Sequence, residues 1–239
     1  MKEGLSEKRK EAMRYMYDMS QVRWTPSEDI DLTSINKSLY FKAGEIYYGI
    51  IYTFYTAVNL EGFKSYLDEN NVFHGPTELR QIPGNHCTSS IINAYKHIGD
   101  PITAHWSMDM HPARKTGLYP VGSYVYDDAD IVTEETIKRN TEEVMYESYA
   151  SLQGGDCILS CWGKTGHARM VASVEVVRGE DGVIDPEKSH VKTLEQTWSM
   201  DKTAAVNTSW YINRTYSFKL LFDKFYIPLT VETLKKADK

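Results

Sequence analysis

The chain has 239 residues, a net charge of -6, and 41% apolar and 12% aromatic side chains. A chain of this length buries about 70% of its unfolded surface, so its core needs neither disulfides nor metal. Without a basic face it has no footprint for nucleic acid. Without a run of about 18 apolar residues it has no membrane-spanning helix.

Residues 6–20 predict an amphipathic helix, with Ala12, Met13, Tyr15, Met16 and Met19 near helical spacing. Within it Lys8-Arg9-Lys10, set among Glu3, Glu7 and Glu11, reads as a solvated face. The N-terminus has charges but no apolar h-region, so it does not read as a secretory signal; a processed chain would look the same. Trp24-Thr25-Pro26 breaks the helix, because the residue before proline is pushed out of the helical region. A polar stretch over 27–45 leads to Ile46–Tyr52, a strand or a packed loop, then to a helix at about 58–69. Pro83-Gly84-Asn85 marks a turn. A helix follows, with Cys87, Ile91, Ala94 or Tyr95, and Ile98 on one face, and Gly99-Asp100-Pro101 stops it. Residues 102–130 read as loop with short strands. A second helix is predicted over about 133–152, ending at Gly154-Gly155.

The remainder reads as β. Asp156–Trp162 is a short apolar run. Residues 167–177 alternate, with Ala168, Met170, Ala172, Val174 and Val176 on one face and His167, Arg169, Val171, Ser173, Glu175 and Val177 on the other. A strand at 190–198 pairs back, and a final strand spans about 216–228 with Phe218, Leu220 and Phe222. The expected class is α+β: one domain over 1–239, helices first and then an antiparallel sheet.

Cys87, Cys157 and Cys161 are odd in number, so at least one thiol is free. Cys87 stands where a helix begins. Free backbone N–H groups and the positive end of the helix dipole favour a thiolate there and can hold an oxyanion. A nucleophile also needs a base, and His167, opening a strand after Gly166, supplies one. The base in turn needs an orienting partner. Glu195 and Gln196 on the next strand are both in reach, and alternation allows only one to serve. Cys161 is a rival nucleophile without a helix start, and Cys157 reads as core. His105, Asp109 and His111 fit no common zinc spacing, so neither metal nor cofactor is expected. Seventeen tyrosines and five tryptophans invite a carbohydrate-binding reading, although most suit core and strand positions. Asn207-Thr208-Ser209 and Asn213-Arg214-Thr215 match the glycosylation acceptor pattern, which matters only in a eukaryotic secretory protein.

Three stretches resemble the NlpC-type cell-wall peptidases, a branch of the papain-like fold. Gly84-Asn85-His86-Cys87-Thr88-Ser89-Ser90 is similar to the family's Asp-Cys-Ser-Gly nucleophile helix. Leu152–Leu159 followed by Gly166-His167-Ala168-Arg169-Met170-Val171 resembles its Pro-Gly-Asp strand and Gly-His-Val segment. Gly49-Ile50-Ile51-Tyr52 resembles its Gly-x-Pro-Tyr segment, which places a tyrosine near the substrate. His86 replaces the family's Asp, Thr88 its Ser, Ser89 its Gly, and Ile51 its Pro.

The resemblance implies a papain-like α+β domain whose nucleophile helix packs on an antiparallel sheet. A helical extension at about 1–40 and an insertion at about 100–150 would flank the family's pattern. It implies a cysteine peptidase or amidase with Cys87 as nucleophile, His167 as base and Glu195, or else Gln196, as third member. The expected substrates are small peptides or bacterial cell-wall (peptidoglycan) fragments, bound with Tyr52 and Arg169 nearby. Lys164 joins Arg169 as a candidate partner for acidic groups. It favours a secreted or cell-envelope protein and brings no cofactor. Two alternatives stand beside it: a non-catalytic peptide- or glycan-binding module on the same fold, and an acyltransferase using the same Cys-His pair.

Overall fold

The computed structural model describes residues 4–163 and 165–238. Helix α1 (Glu7–Gln21) buries Ala12, Met13, Tyr15, Met16 and Met19, the apolar stripe that its spacing predicts. Arg9 is buried on that helix as well, which corrects the reading of Lys8-Arg9-Lys10 as wholly solvated. Its guanidinium pairs with Asp156 at 2.9 Å and Asp238 at 2.7 Å, so the charge is compensated inside the fold.

Strand β1 (Arg23–Pro26) carries Trp24, fully buried among Phe41, Tyr47, Phe63 and Phe73. Strands β2 (Ile30–Asp31) and β3 (Tyr40–Phe41) pair antiparallel within the polar stretch, and β4 (Tyr47–Tyr48) gives way to a packed segment through Tyr52. Helix α2 (Leu60–Lys64) is shorter than predicted and starts where Asn59 accepts the Gly62 N–H. After β5 (Val72–Phe73) comes α3 (Cys87–His97), then two 3₁₀ turns (Ser107–Met110 and Pro112–Arg114) and β6 (Leu118–Pro120).

The single helix predicted over 133–152 is two, α4 (Thr133–Lys138) and α5 (Glu142–Ala150). Asn140 donates to the carbonyls of Val125 and Thr136, and Thr141 accepts the Val144 N–H, so a new cap restarts the chain. Then come β7 (Cys157–Trp162), β8 (Thr165–Glu175), β9 (His190–Gln196), β10 (Asn207–Thr208) and β11 (Trp210–Ser217). The predicted last strand is instead the end of β11, helix α6 (Phe218–Asp223) and β12 (Ile227–Val231), with α7 (Glu232–Ala237) behind it. Ser217 caps α6 by accepting the Leu220 N–H, and Phe218 and Leu221 bury at helical spacing.

The larger sheet is antiparallel throughout, in the order β11-β9-β8-β7-β12-β6. Helices α1 and α3 pack against it. A second sheet, β10-β4-β1-β5, contains both parallel and antiparallel pairs. The architecture is α+β, helices on antiparallel strands. On β8 a bulge between Val171 and Ser173 shifts the alternation, so Val171 is buried and Ala172 only half-buried. Among the described residues no helix is long and apolar enough to cross a membrane.

Candidate active site

Pro83-Gly84-Asn85 delivers the chain to α3 along a narrow path. A Cβ on Gly84 would overlap the Ile51 carbonyl oxygen, which itself accepts the Asn85 N–H at 2.9 Å. Thr53 N–H returns a bond to the Asn85 carbonyl at 2.8 Å. This bridge sets Tyr52 beside the start of α3. His86 is the cap residue. Its backbone N–H donates to Ser89 Oγ at 2.9 Å, and its ring stacks on Trp106, centroids 5.1 Å apart and planes 7° apart. Cys87 is the first residue of the helix, so its own N–H is among those without an intrahelical partner. The residue is 5% exposed.

His167 stands near the start of β8. A Cβ on the preceding Gly166 would lie 2.6 Å from Ser107 Oγ, so glycine is what lets the first 3₁₀ turn close over the strand. His167 Nε2–H donates to Glu195 Oε2 at 2.6 Å. The antiparallel register puts Glu195 on the same face of the sheet, while Gln196 turns to the other. Gln196 instead donates to the Ile50 carbonyl at 2.7 Å, beside Trp210, whose indole N–H reaches the same oxygen at 3.0 Å. It braces the segment that carries Tyr52. The orienting bond uses Nε2, leaving Nδ1 for the sulfur.

The charges follow from these neighbours. Burial works to raise the Cys87 thiol, but the imidazoles of His167 and, more weakly, His86 outweigh it and hold the thiol well below its ordinary range. Burial works to lower His167, but the Cys87 charge and then Glu195 outweigh it and raise the ring to about 9. Sulfur and imidazole thus couple as thiolate and imidazolium. Sγ also lies 3.8 Å from Thr88 Oγ1. Burial works to raise Glu195, yet His167, Arg169 and Tyr216 bring it down to about 2. Burial and the Cys87 charge push the Tyr52 hydroxyl far up, which keeps it a proton donor.

Arg169 has a different neighbour from the acidic substrate expected for it. Its Nε donates to Glu195 Oε2 at 2.7 Å, and its guanidinium lies between the rings of Tyr216 and Tyr226. The alternation that put Arg169 beside His167 was legible, but the two tyrosines come from distant β11 and the approach to β12. Lys164 lies outside the described residues. Cys157 is fully buried and pushed up to about 12, and Cys161 is raised by burial, so both remain thiols. Asp109 bonds to the backbone N–H groups of His105 and Trp106, and buried His111 bonds to Thr136, so these three do not converge on one point. A cavity of about 1210 Å³ lies between α1 and strands β8, β9 and β11 and touches neither Cys87 nor His167.

Compared with known proteins, the chain matches no family model, no curated protein and no solved structure.

Proposed function

We propose that the chain is a papain-like cysteine hydrolase of the NlpC type, cleaving amide bonds in small peptides such as those of bacterial cell walls. The observation that carries this reading is the convergence of a helix-tip cysteine, a strand-borne imidazole and a buried carboxylate, with thiol and imidazole charge-coupled. In this reading the Cys87 thiolate attacks the carbonyl carbon, and the Cys87 N–H and Tyr52 hydroxyl receive the oxyanion. The His167 imidazolium gives its proton to the leaving amine, and a thioester forms. Neutral His167 then takes a proton from water as its oxygen attacks the thioester carbonyl, and breaking of the carbon–sulfur bond releases the acid and regenerates the thiolate–imidazolium pair. Glu195 holds the ring in the tautomer that presents Nδ1 to sulfur. The domain would span 1–239, with the extension at about 1–40 and the insertion at about 100–150 flanking the site.

A thiol-selective alkylating probe should label the wild type at neutral pH at least about ten-fold faster than Cys87→Ser, because the thiolate is the reactive form. Short peptides containing D-amino acids should be cleaved by wild type and left intact by Cys87→Ala. Equal labelling of wild type and Cys87→Ser sinks the nucleophile. Peptides bound with the same affinity by wild type and Cys87→Ala, with no product from either, would assign a binding module instead.

A further inference from the structure

We propose that Arg169 is a positioning residue that neutralises Glu195, so that His167 is oriented by a charge-balanced carboxylate–guanidinium pair rather than by a bare carboxylate. The inference rests on the reading of Cys87, His167 and Glu195 as an active triad.

The geometry is convergent. His167 Nε2 and Arg169 Nε both donate to Glu195 Oε2, at 2.6 and 2.7 Å. Tyr216 hydroxyl donates to Oε1 at 2.5 Å, and Thr193 Oγ1 donates to the same oxygen at 3.4 Å. Glu195 itself is almost completely buried. Arg169 and His167 are two residues apart on one strand, so both present the same face to β9. The guanidinium is clamped, with Cζ 4.2 Å from the Tyr216 ring centroid and 4.5 Å from that of Tyr226. Its Nη1 is sealed from solvent without a hydrogen-bond partner among the described residues. A cation built to steer acidic substrates would present that end to the cleft; this one is committed to Glu195.

Cys87 at the tip of α3, Glu195 on β9 and Arg169 on its own strand act on His167 directly; beyond them His86 and Tyr52 act on Cys87, Tyr216 on Glu195 and Arg169, and Tyr226 on Arg169. In the ion-pair state thiolate, imidazolium, carboxylate and guanidinium sum to zero. Without Arg169 the buried cluster would carry a net negative charge, and the imidazolium would hold its proton too firmly to pass it to a leaving amine. Arg169 therefore works through Glu195 on the proton affinity of His167.

The test uses the full chain as Arg169→Met, Arg169→Lys, Glu195→Gln and the double Glu195→Gln/Arg169→Met. The readouts are the NMR titration of the His167 ring and peptide turnover. Arg169→Met should raise the His167 titration midpoint by about one pH unit, whereas Arg169→Lys, which keeps the charge, should leave it within about 0.3 unit. Glu195→Gln strands a buried guanidinium and should lose turnover by about 100-fold or more, and the double variant should recover at least about ten-fold of that loss. A midpoint unmoved in Arg169→Met, or a double variant no better than Glu195→Gln, overturns the proposal. If Arg169→Met fails to fold, the double variant, with both charges replaced by neutral groups, and Arg169→Lys still decide it. If wild type turns over no peptide, the hydrolase reading falls, while the His167 midpoints still report on Arg169.

Discussion

At the scale of single residues, the site is a set of opposed shifts with definite consequences for pH. Turnover should be bell-shaped. Its acid limb lies at the depressed midpoint of the Cys87 thiol and its alkaline limb near 9, where His167 gives up its proton. Stability should follow the same groups. His167 titrates near 9 in the fold against 6.5 ordinarily, so its stabilisation is complete below 6.5 and is lost as pH rises through about 9. Glu195 titrates near 2 against 4.5, so its contribution is present above 4.5 and is lost as pH falls toward 2. The Cys87 thiol, depressed from 9, gains stabilisation over the range in which His167 loses it, so melting temperature plotted against pH should be near level between about 6.5 and 9 and should fall as pH drops below 6.5 toward the thiol's midpoint and, through Glu195, below 4.5. A wild-type curve that falls steadily from about 6.5 to 9, as an uncompensated His167 would give, would contradict the ion pair.

At the scale of elements, the parts legible in the sequence were those fixed by local chemistry. Pro83-Gly84-Asn85 announced the turn that puts Cys87 at a helix start, and alternation along β8 put His167 and Arg169 on one face. Alternation also left a single member of Glu195 and Gln196 to meet the ring, without saying which. Local pattern failed where two periods compete. Phe218, Leu220 and Phe222 alternate like a strand, yet Ser217 caps a helix in which Phe218 and Leu221 bury and Leu220 faces out. It failed again where a contact is made by distant segments, as in the Tyr216–Arg169–Tyr226 sandwich and the stack of His86 on Trp106. Gly84 gives this scale its prediction. Its missing Cβ lets the Tyr52 segment lie against the nucleophile turn, so Gly84→Ala must push the two apart. It should cost roughly 1–3 kcal/mol, a drop of several degrees in melting temperature, with turnover falling at temperatures where the variant remains folded. Unchanged melting and turnover would mean that the turn is more compliant than its packing implies.

At the scale of the whole molecule, the first helix, the sheet and the last helix meet in one buried ionic cluster. Arg9 on α1 binds Asp156, immediately ahead of β7, and Asp238, just past α7; Arg9 and Asp156 are 3% and 1% exposed, Asp238 27%. The two acids should therefore respond differently. Asp238→Asn removes a half-solvated partner and should cost at most about 1 kcal/mol. Arg9→Met leaves the Asp156 carboxylate buried without its cation and should cost roughly 3–5 kcal/mol. Burial already raises Asp156 even with Arg9 beside it, so without the guanidinium the group moves further toward its neutral form. A folded-state midpoint above the unfolded one means that the native state binds the extra proton, so lowering the pH stabilises the variant relative to neutral conditions. Denaturant unfolding of Arg9→Met should thus show a penalty that shrinks as the solution is acidified, and Arg9→Met/Asp156→Asn should recover part of it at neutral pH. A penalty independent of pH, with no recovery in the double variant, would place the role of Arg9 in the packing of its aliphatic stem rather than in its charge.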